Sequence, residues 1–298
     1  MSAAGRARAV TPALLRRLPL PRPDERGDKE ERGRVLVVGG ATEMPGALVL
    51  AGVAALRAGA GKLQLATAAD VAGLVATAVP EARVRALAAT RAGGIEPDAA
   101  AEALAEWVRQ ADALLVGPGM VDPAAAAALT LRLLAEVEDA TVVLDAEAMA
   151  CLGDTRDALH RLRGRAVVTP HAGEMASLLG MTKEEVADDP LAVARRAAAE
   201  LRCVVALKGS ETHVAAPDGE AFRYASGGVG LATSGSGDTL AGIVAGLAAR
   251  GADPLRAALW GVALHGGAGN VLAKRVGPLG FLARELLDAV PGVMRSLS

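Results

Sequence analysis

The sequence predicts an α/β protein: a three-layer α/β/α sandwich whose mostly parallel central sheet carries an antiparallel hairpin toward one edge. Two observations predict it. Short apolar runs recur along the chain with Ala/Leu-rich helical patterns between them, the alternation expected of a parallel sheet covered on both faces. After Lys208 that texture stops, and two short strand-like runs flank an Asp218-Gly219 turn, as in a hairpin.

Taken in order, residues 1–33 form an arm that ends in a charged stretch, Asp24 to Arg32, and reads as a solvated lead-in, with order beginning at Val35. Val35 to Gly40 is a short apolar run closed by glycines, the pattern of a buried parallel strand and its turn. Pro45 and Gly46 then open a helix that runs to about Arg57. Further strands are expected at 62–67, 113–116, 141–144, 166–168 and 203–207, and the hairpin at His213 to Ala216 and Ala221 to Tyr224. From Ser236 the chain is almost wholly helical. No solenoid period and no long linker appears, so residues 34–298 are expected to form one catalytic domain.

Composition removes several function classes. The formal net charge is −2 and the pI about 6.1, which supplies no basic field for a nucleic acid or an anionic membrane. No apolar run reaches the roughly 20 residues of a membrane span. The only cysteines, Cys151 and Cys203, give neither a disulfide framework nor a metal-ligand spacing, which suits a cytoplasmic location. Arg6, Arg8, Arg16, Arg17 and Arg22, with no acid before Asp24, read either as a transit peptide or as an untargeted arm; Arg and Ala dominate the whole chain, which favours the arm. His160 and His213 are expected at the surface.

The most informative segment runs from Gly227 to Asp238 and leads straight into a helix. Its glycines allow tight turns that aim amides at one point, and the helix N-terminus adds partial positive charge there, so the site suits a phosphate. Asp238 is either a helix cap or a general base; a cap does not require so much glycine, which favours the base.

With that Gly-x-Gly-Asp box the sequence resembles the ribokinase-like superfamily, and within it the ADP-dependent NAD(P)H-hydrate dehydratases. The likeness runs from about Gly33 to Pro291 and includes further boxes in order. Gly39 to Ala47, followed by Ala54 to Gly61, resembles the turn that lines the family's substrate pocket, which implies that Ala47 touches the hydrated nicotinamide nucleotide; the plain alternative is helix–sheet packing. Met44 stands where the family often has an aromatic residue. Val116-Gly117-Pro118-Gly119-Met120 closes a strand where ligands of open α/β sheets gather, so Gly119 is either a substrate contact or a turn glycine with no ligand.

Thr169-Pro170-His171-Ala172-Gly173-Glu174 resembles the Thr-Pro-Asn-x-x-Glu box of vitamin kinases, with His in the Asn position as the dehydratases have it. His171 then contacts substrate or phosphate, and Glu174 holds a metal-bound water; alternatively Pro170 starts a helix whose dipole Glu174 complements. Lys208, Gly209, Ser210, Glu211 and Thr212 are implied to contact the adenylate part of the nucleotide, with Gly237; for Lys208 the plain alternative is a solvated strand-end lysine. Asp145 lies in a segment that partly resembles a family box, from which Glu147 and Ala150 depart. His265-Gly266 matches a family His-Gly pair, although small residues there also permit close helix packing.

The resemblance implies repair of hydrated NADH and NADPH (NADHX and NADPHX) with ADP as co-substrate and Mg²⁺ as cofactor. Asp238 would be the catalytic base and the amides of Gly235, Ser236 and Gly237 the anion hole. A homo-tetramer is the expected assembly and no epimerase activity is expected. Two other readings remain: a small-molecule alcohol kinase of the same fold, and a catalytically silent nucleotide-binding protein.

Overall fold

The computed structural model describes residues 6–22 and 28–298, so the start of the charged stretch, 24–27, lies outside the described residues. The chain opens with a two-residue strand β1 (Arg8–Ala9) and a short helix α1 (Pro12–Arg17). A run of strand–helix units follows: β2 (Arg34–Val38) and α2 (Pro45–Arg57), β3 (Lys62–Ala68) and α3 (Ala69–Ala78), β4 (Ala82–Leu87) and α4 (Pro97–Arg109). Next come β5 (Ala113–Val116) and α5 (Pro123–Glu136), then β6 (Thr141–Leu144) and α6 (Cys151–Asp154). Strand β7 (Ala166–Val168) is followed by α7 (Ala172–Leu179), α8 (Lys183–Asp188) and α9 (Pro190–Leu201). Strands β8 (Val204–Leu207), β9 (Thr212–Ala215) and β10 (Ala221–Tyr224) precede α10 (Ser236–Ala249), α11 (Pro254–Arg275) and α12 (Ala283–Leu297).

Among the described residues, ten strands form one sheet in the order β1-β10-β9-β8-β7-β6-β5-β2-β3-β4, parallel throughout except where β9 pairs with β8 and β10. The predicted parallel sheet with its hairpin is therefore present. Strand β4 was not anticipated: Arg83 and Arg85 interrupt its apolar pattern, which an edge strand tolerates because part of it faces solvent.

Helices cover both faces. Along β2, Val35 and Val37 enter the core layer shared with α2, α10, α11 and α12, while Leu36 and Val38 enter the layer of α4, α5, α7 and α9. This period-2 split explains why the strand is apolar at every position. With few aromatics available, helices approach through small residues instead. A Cβ at Gly242 or Gly246 of α10 would lie 2.2 Å from the Ala51 carbonyl oxygen or 2.3 Å from that of Ala55 on α2.

The arm departs from expectation. Order does not begin at Val35: β1 adds in parallel to β10, and Val10, Leu15 and Leu20 are buried in the α10–α12 layer. Trp260 donates its indole N–H to the Leu18 carbonyl at 2.7 Å, and Arg250 and Arg256 hold the Pro21 and Pro19 carbonyls. His213 is buried, not at the surface: it shares its face of the sheet with Ala215, in the layer covered by α9. His160 is half-buried with Nε2 2.9 Å from the Glu200 carbonyl.

Candidate active site

Strand order reverses between β5 and β2, the switch point at which the loops after the two strands splay apart. Both glycine boxes sit there and interlock. Gly40 donates its amide to the Pro118 carbonyl at 2.7 Å, and a Cβ on Gly39 would lie 2.3 Å from the same oxygen. Gly119 adopts φ +66° and leaves no room for a side chain, since a Cβ there would fall 2.8 Å from that of Ala47. Ala47 and Gly119 are thus packed against one another. Gly117, at φ +127°, lies against the Asp145 carbonyl, which joins this wall to the end of β6.

Asp145 anchors a charged cluster. Its side chain is 4% exposed, and the carboxylate accepts from the Thr169 hydroxyl at 2.7 Å and pairs with the Lys208 ammonium at 2.9 Å. The next residue, Ala146, takes a left-handed conformation at φ 49°, a backbone strain of the kind that concentrates at functional sites. Lys208 Nζ also lies 4.0 Å from Glu174, so it is not the solvated strand-end lysine that was the plain alternative. Burial disfavours its charge, but Asp145, Glu174 and Asp238 outweigh that and raise its pKa.

Asp238 is half-buried in the first turn of α10 and belongs to the same cluster. Burial, reinforced by the charge of Asp145, lifts its carboxyl to about 6, against the lowering influence of Lys208 and its own backbone amide. It does not cap the helix; that position is Gly235, at φ +84°, and no side chain serves as cap. The N-cap position of α10 therefore carries no side-chain oxygen.

On the opposite flank, His171 caps α7. Its Nδ1 accepts from the Gly173 and Glu174 amides at 2.9 and 3.1 Å, while Glu174 accepts from the His171 amide at 2.7 Å, a reciprocal capping box. Helix α7 accordingly starts after His171 and not at Pro170. With Nδ1 committed as an acceptor, the neutral ring carries its proton on Nε2, 3.4 Å from Glu174. The strand end is tied in as well: the Lys208 amide donates to the Pro170 carbonyl at 2.7 Å.

These flanks border a cleft of about 800 Å³. His171, Lys208, Gly209, Ser210, Thr212, Ser236 and Gly237 lie on its wall, as do His265 and Tyr224. A Cβ on Gly237 would meet Lys208 Nζ at 3.3 Å, so the lysine tip reaches the first turn of α10. Other candidate residues stand apart from that wall. Glu211 is taken by Arg223 at 2.8 and 3.0 Å. Gly235 packs on Leu50 of α2, and the Ser236 amide is spent on the Thr233 carbonyl at 3.2 Å, so it is not an open donor as the anion-hole expectation required. Ala47 and Gly119 form the separate switch-point wall described above.

Sequence reasoning underrated two residues. Asp145 is the hub of the cluster, and the signal for it was an acid directly after a short apolar strand run, in a segment that partly resembles a family box. His265, read mainly in terms of helix packing, faces the cleft and has Nε2 2.9 Å from the Ser236 hydroxyl. Nothing local in the sequence pairs those two, because α10 and α11 must first pack together.

Parallel sheet, hairpin, switch-point glycines and a helix-borne aspartate beside an open cleft define a ribokinase-like α/β protein. A ribokinase-like superfamily protein from Enterococcus faecalis superposes with a TM-score of 0.84 at 28% identity, covering 98% of this chain and 96% of that one. The chain belongs to the NAD(P)H-hydrate dehydratase family, which it matches over residues 35–292. It is similar to the ADP-dependent (S)-NAD(P)H-hydrate dehydratase of Xanthomonas campestris pv. campestris, at 51% identity over 98% of both chains. A solved structure of the ADP/ATP-dependent NAD(P)H-hydrate dehydratase from Bacillus subtilis, co-crystallised with ATP/Mg²⁺, gives a TM-score of 0.80 at 28% identity, covering 98% of this chain and 99% of that one.

Proposed function

We propose that the protein catalyses the ADP-dependent dehydration of (S)-NAD(P)H-hydrate, restoring NAD(P)H and releasing AMP and phosphate. The observation that carries the reading is Asp238: a carboxylate raised to about 6, beside Lys208, in the first turn of α10 and adjacent in the chain to Gly237, which lines a cleft large enough for a nucleotide. The Xanthomonas relative, named for this activity, supports the choice of substrate and nucleotide.

In this reading Asp238 takes the proton from the ring hydroxyl as its oxygen attacks the terminal phosphoryl group of ADP. A carboxylate titrating near 6 is still mostly ionised at neutral pH, yet is a better proton acceptor than an ordinary aspartate. The first turn of α10, with Gly237 on the cleft wall and Lys208 beside it, faces the charge that develops on the phosphoryl oxygens. The bond to AMP breaks, the ring nitrogen expels the phosphate that has formed, and loss of a proton from the adjacent ring carbon restores the double bond. Phosphorylation serves to make the oxygen a good leaving group.

The donor set fits a Mg²⁺ that arrives with the nucleotide. Asp145, Glu174 and Asp238 surround a single ammonium, which leaves local negative charge, whereas among the described residues no group of three or more His, Cys, Asp and Glu forms a metal cage. Glu174 would hold the ion through water, the other ligands being phosphate oxygens. When bound, Mg²⁺ supplies positive charge against those oxygens. The reading further includes a homo-tetramer and a cytoplasmic location, for which the resemblance is the support; no helix among the described residues is long and apolar enough to cross a membrane.

The test is direct. With ADP and NADPH-hydrate, absorbance of reduced nicotinamide should recover, and Asp238→Asn should slow recovery by about 10²–10⁴-fold while retaining AMP binding. Near-normal turnover in the variant, or accumulation of a stable phosphorylated alcohol, rejects the reading.

A further inference from the structure

The Ser236–His265 contact lies outside the machinery described so far. Ser236 opens α10 and is 4% exposed, yet it lies on the cleft wall, and so does His265 from the middle of α11. Their side chains meet at 2.9 Å. Gly266, beside the histidine, admits the Tyr224 ring, whose nearest atom would lie 2.2 Å from a Cβ there, so α11 approaches the cleft closely at this point.

Chemistry decides the direction of that hydrogen bond. The His265 ring is neutral: burial first, and then the nearby Lys208 charge, push it down to about 4, against the effect of a hydrogen bond to the Ser236 backbone. A neutral imidazole can donate or accept through Nε2. If it accepts, the serine proton points into the protein and only lone pairs face the cleft. If it donates, the hydroxyl keeps its own proton for a group in the cleft. An anion at a helix N-terminus calls for donors, and the Ser236 amide is already engaged by Thr233. The second arrangement is the one complementary to phosphate.

We propose that His265 is a positioning residue: it donates from Nε2 to Ser236 Oγ and so aims the Ser236 hydroxyl as a hydrogen-bond donor at a nucleotide phosphate. This rests on the adenine-nucleotide part of the proposed function and deepens it. His265 itself touches no reacting atom. It replaces the side-chain cap that α10 lacks with a hydroxyl that is held and oriented.

Binding distinguishes this inference from the reading it rests on. Calorimetry with ADP, AMP and adenosine is run on wild type, His265→Leu, His265→Gln, Ser236→Ala and the double variant His265→Leu/Ser236→Ala, with melting curves to confirm folding. His265→Leu should weaken ADP and AMP by about tenfold and leave adenosine within about twofold, the size expected for one misdirected hydrogen bond to a charged group. His265→Gln, which keeps a donor near the Nε2 position, should recover most of the loss. The double variant should bind no more weakly than Ser236→Ala alone, because the two residues act as one unit. Additive losses, an equal loss for adenosine, or unchanged nucleotide affinity in His265→Leu overturns the proposal, as does a wild type that fails to bind ADP. A wild type that binds ADP without acting on NADPH-hydrate overturns the proposed reaction alone, and the binding series still decides the role of His265.

Discussion

The Lys208 ammonium meets the Asp145 carboxylate at 2.9 Å, with the acid 3% exposed and the lysine side chain 19% exposed. A pair so little hydrated is costly to break from one side, because the survivor keeps its charge without a partner. Lys208→Met should therefore destabilise the fold by about 3 kcal/mol, and adding Asp145→Asn should return much of that loss. Urea denaturation of the two variants measures both effects.

The raised carboxyl of Asp238 gives two pH signatures. Activity that needs the ionised base should fall on the acid side with a midpoint near 6, and Asp145→Asn should move that midpoint down, since the Asp145 charge helps to raise it. A pH–rate profile for each protein tests this.

Stability carries the second signature. A carboxyl whose folded pKa is raised from 3.8 to about 6 binds its proton more tightly when folded, so this group favours folding below pH 4 and that contribution fades as pH rises through 6. Asp238→Asn should consequently be more stable than wild type at pH 7.5 by a margin that shrinks toward pH 4. The comparison is of denaturant midpoints at the two pH values.

Gly242→Ala tests the close approach of α10 to α2. A helix interior ordinarily gains about 1 kcal/mol from such a change, but here the new methyl lies 2.2 Å from the Ala51 carbonyl oxygen, and overpacking of this kind costs about 1–3 kcal/mol. The net effect should be destabilising. Because α10 carries Asp238 and α2 carries Ala47, turnover should drop as well.

Leu15→Ala probes the N-terminal arm. The side chain is 1% exposed within the α10–α12 layer, so its truncation should cost about 2–5 kcal/mol in urea or thermal unfolding. A change below about 0.5 kcal/mol would show that the arm contributes little to the fold.

What could be read from the chain followed the range of the forces involved. Strands buried on both faces, such as β2 and β6, write an unbroken apolar run into the sequence, and turns that demand a left-handed backbone or close approach write glycine, as at Gly40 and Gly119. The arm escaped detection because its buried residues, Val10, Leu15 and Leu20, are too widely spaced to stand out among arginines and prolines. A polar ring in a hairpin suggests exposure, but His213 is buried because its face of the sheet lies under the layer that holds α9. The links from Asp145 to Lys208 and from Ser236 to His265 join residues 63 and 29 positions apart, so they exist only once the layers have formed.

The pairing of β1 with β10 also bears on how the molecule behaves in crowded solution. A hairpin strand at the rim of a sheet offers unsatisfied amides and carbonyls to any passing chain, which is how fibrillar assembly begins. Here that rim is occupied by only two residues, one of them Arg8, whose guanidinium stacks over Phe222 at 4.4 Å and reaches Glu220. The far rim, β4, carries Arg83 and Arg85, both held over Trp107. Each border of the sheet thus ends in fixed positive charge, a guard against edge-to-edge polymerisation.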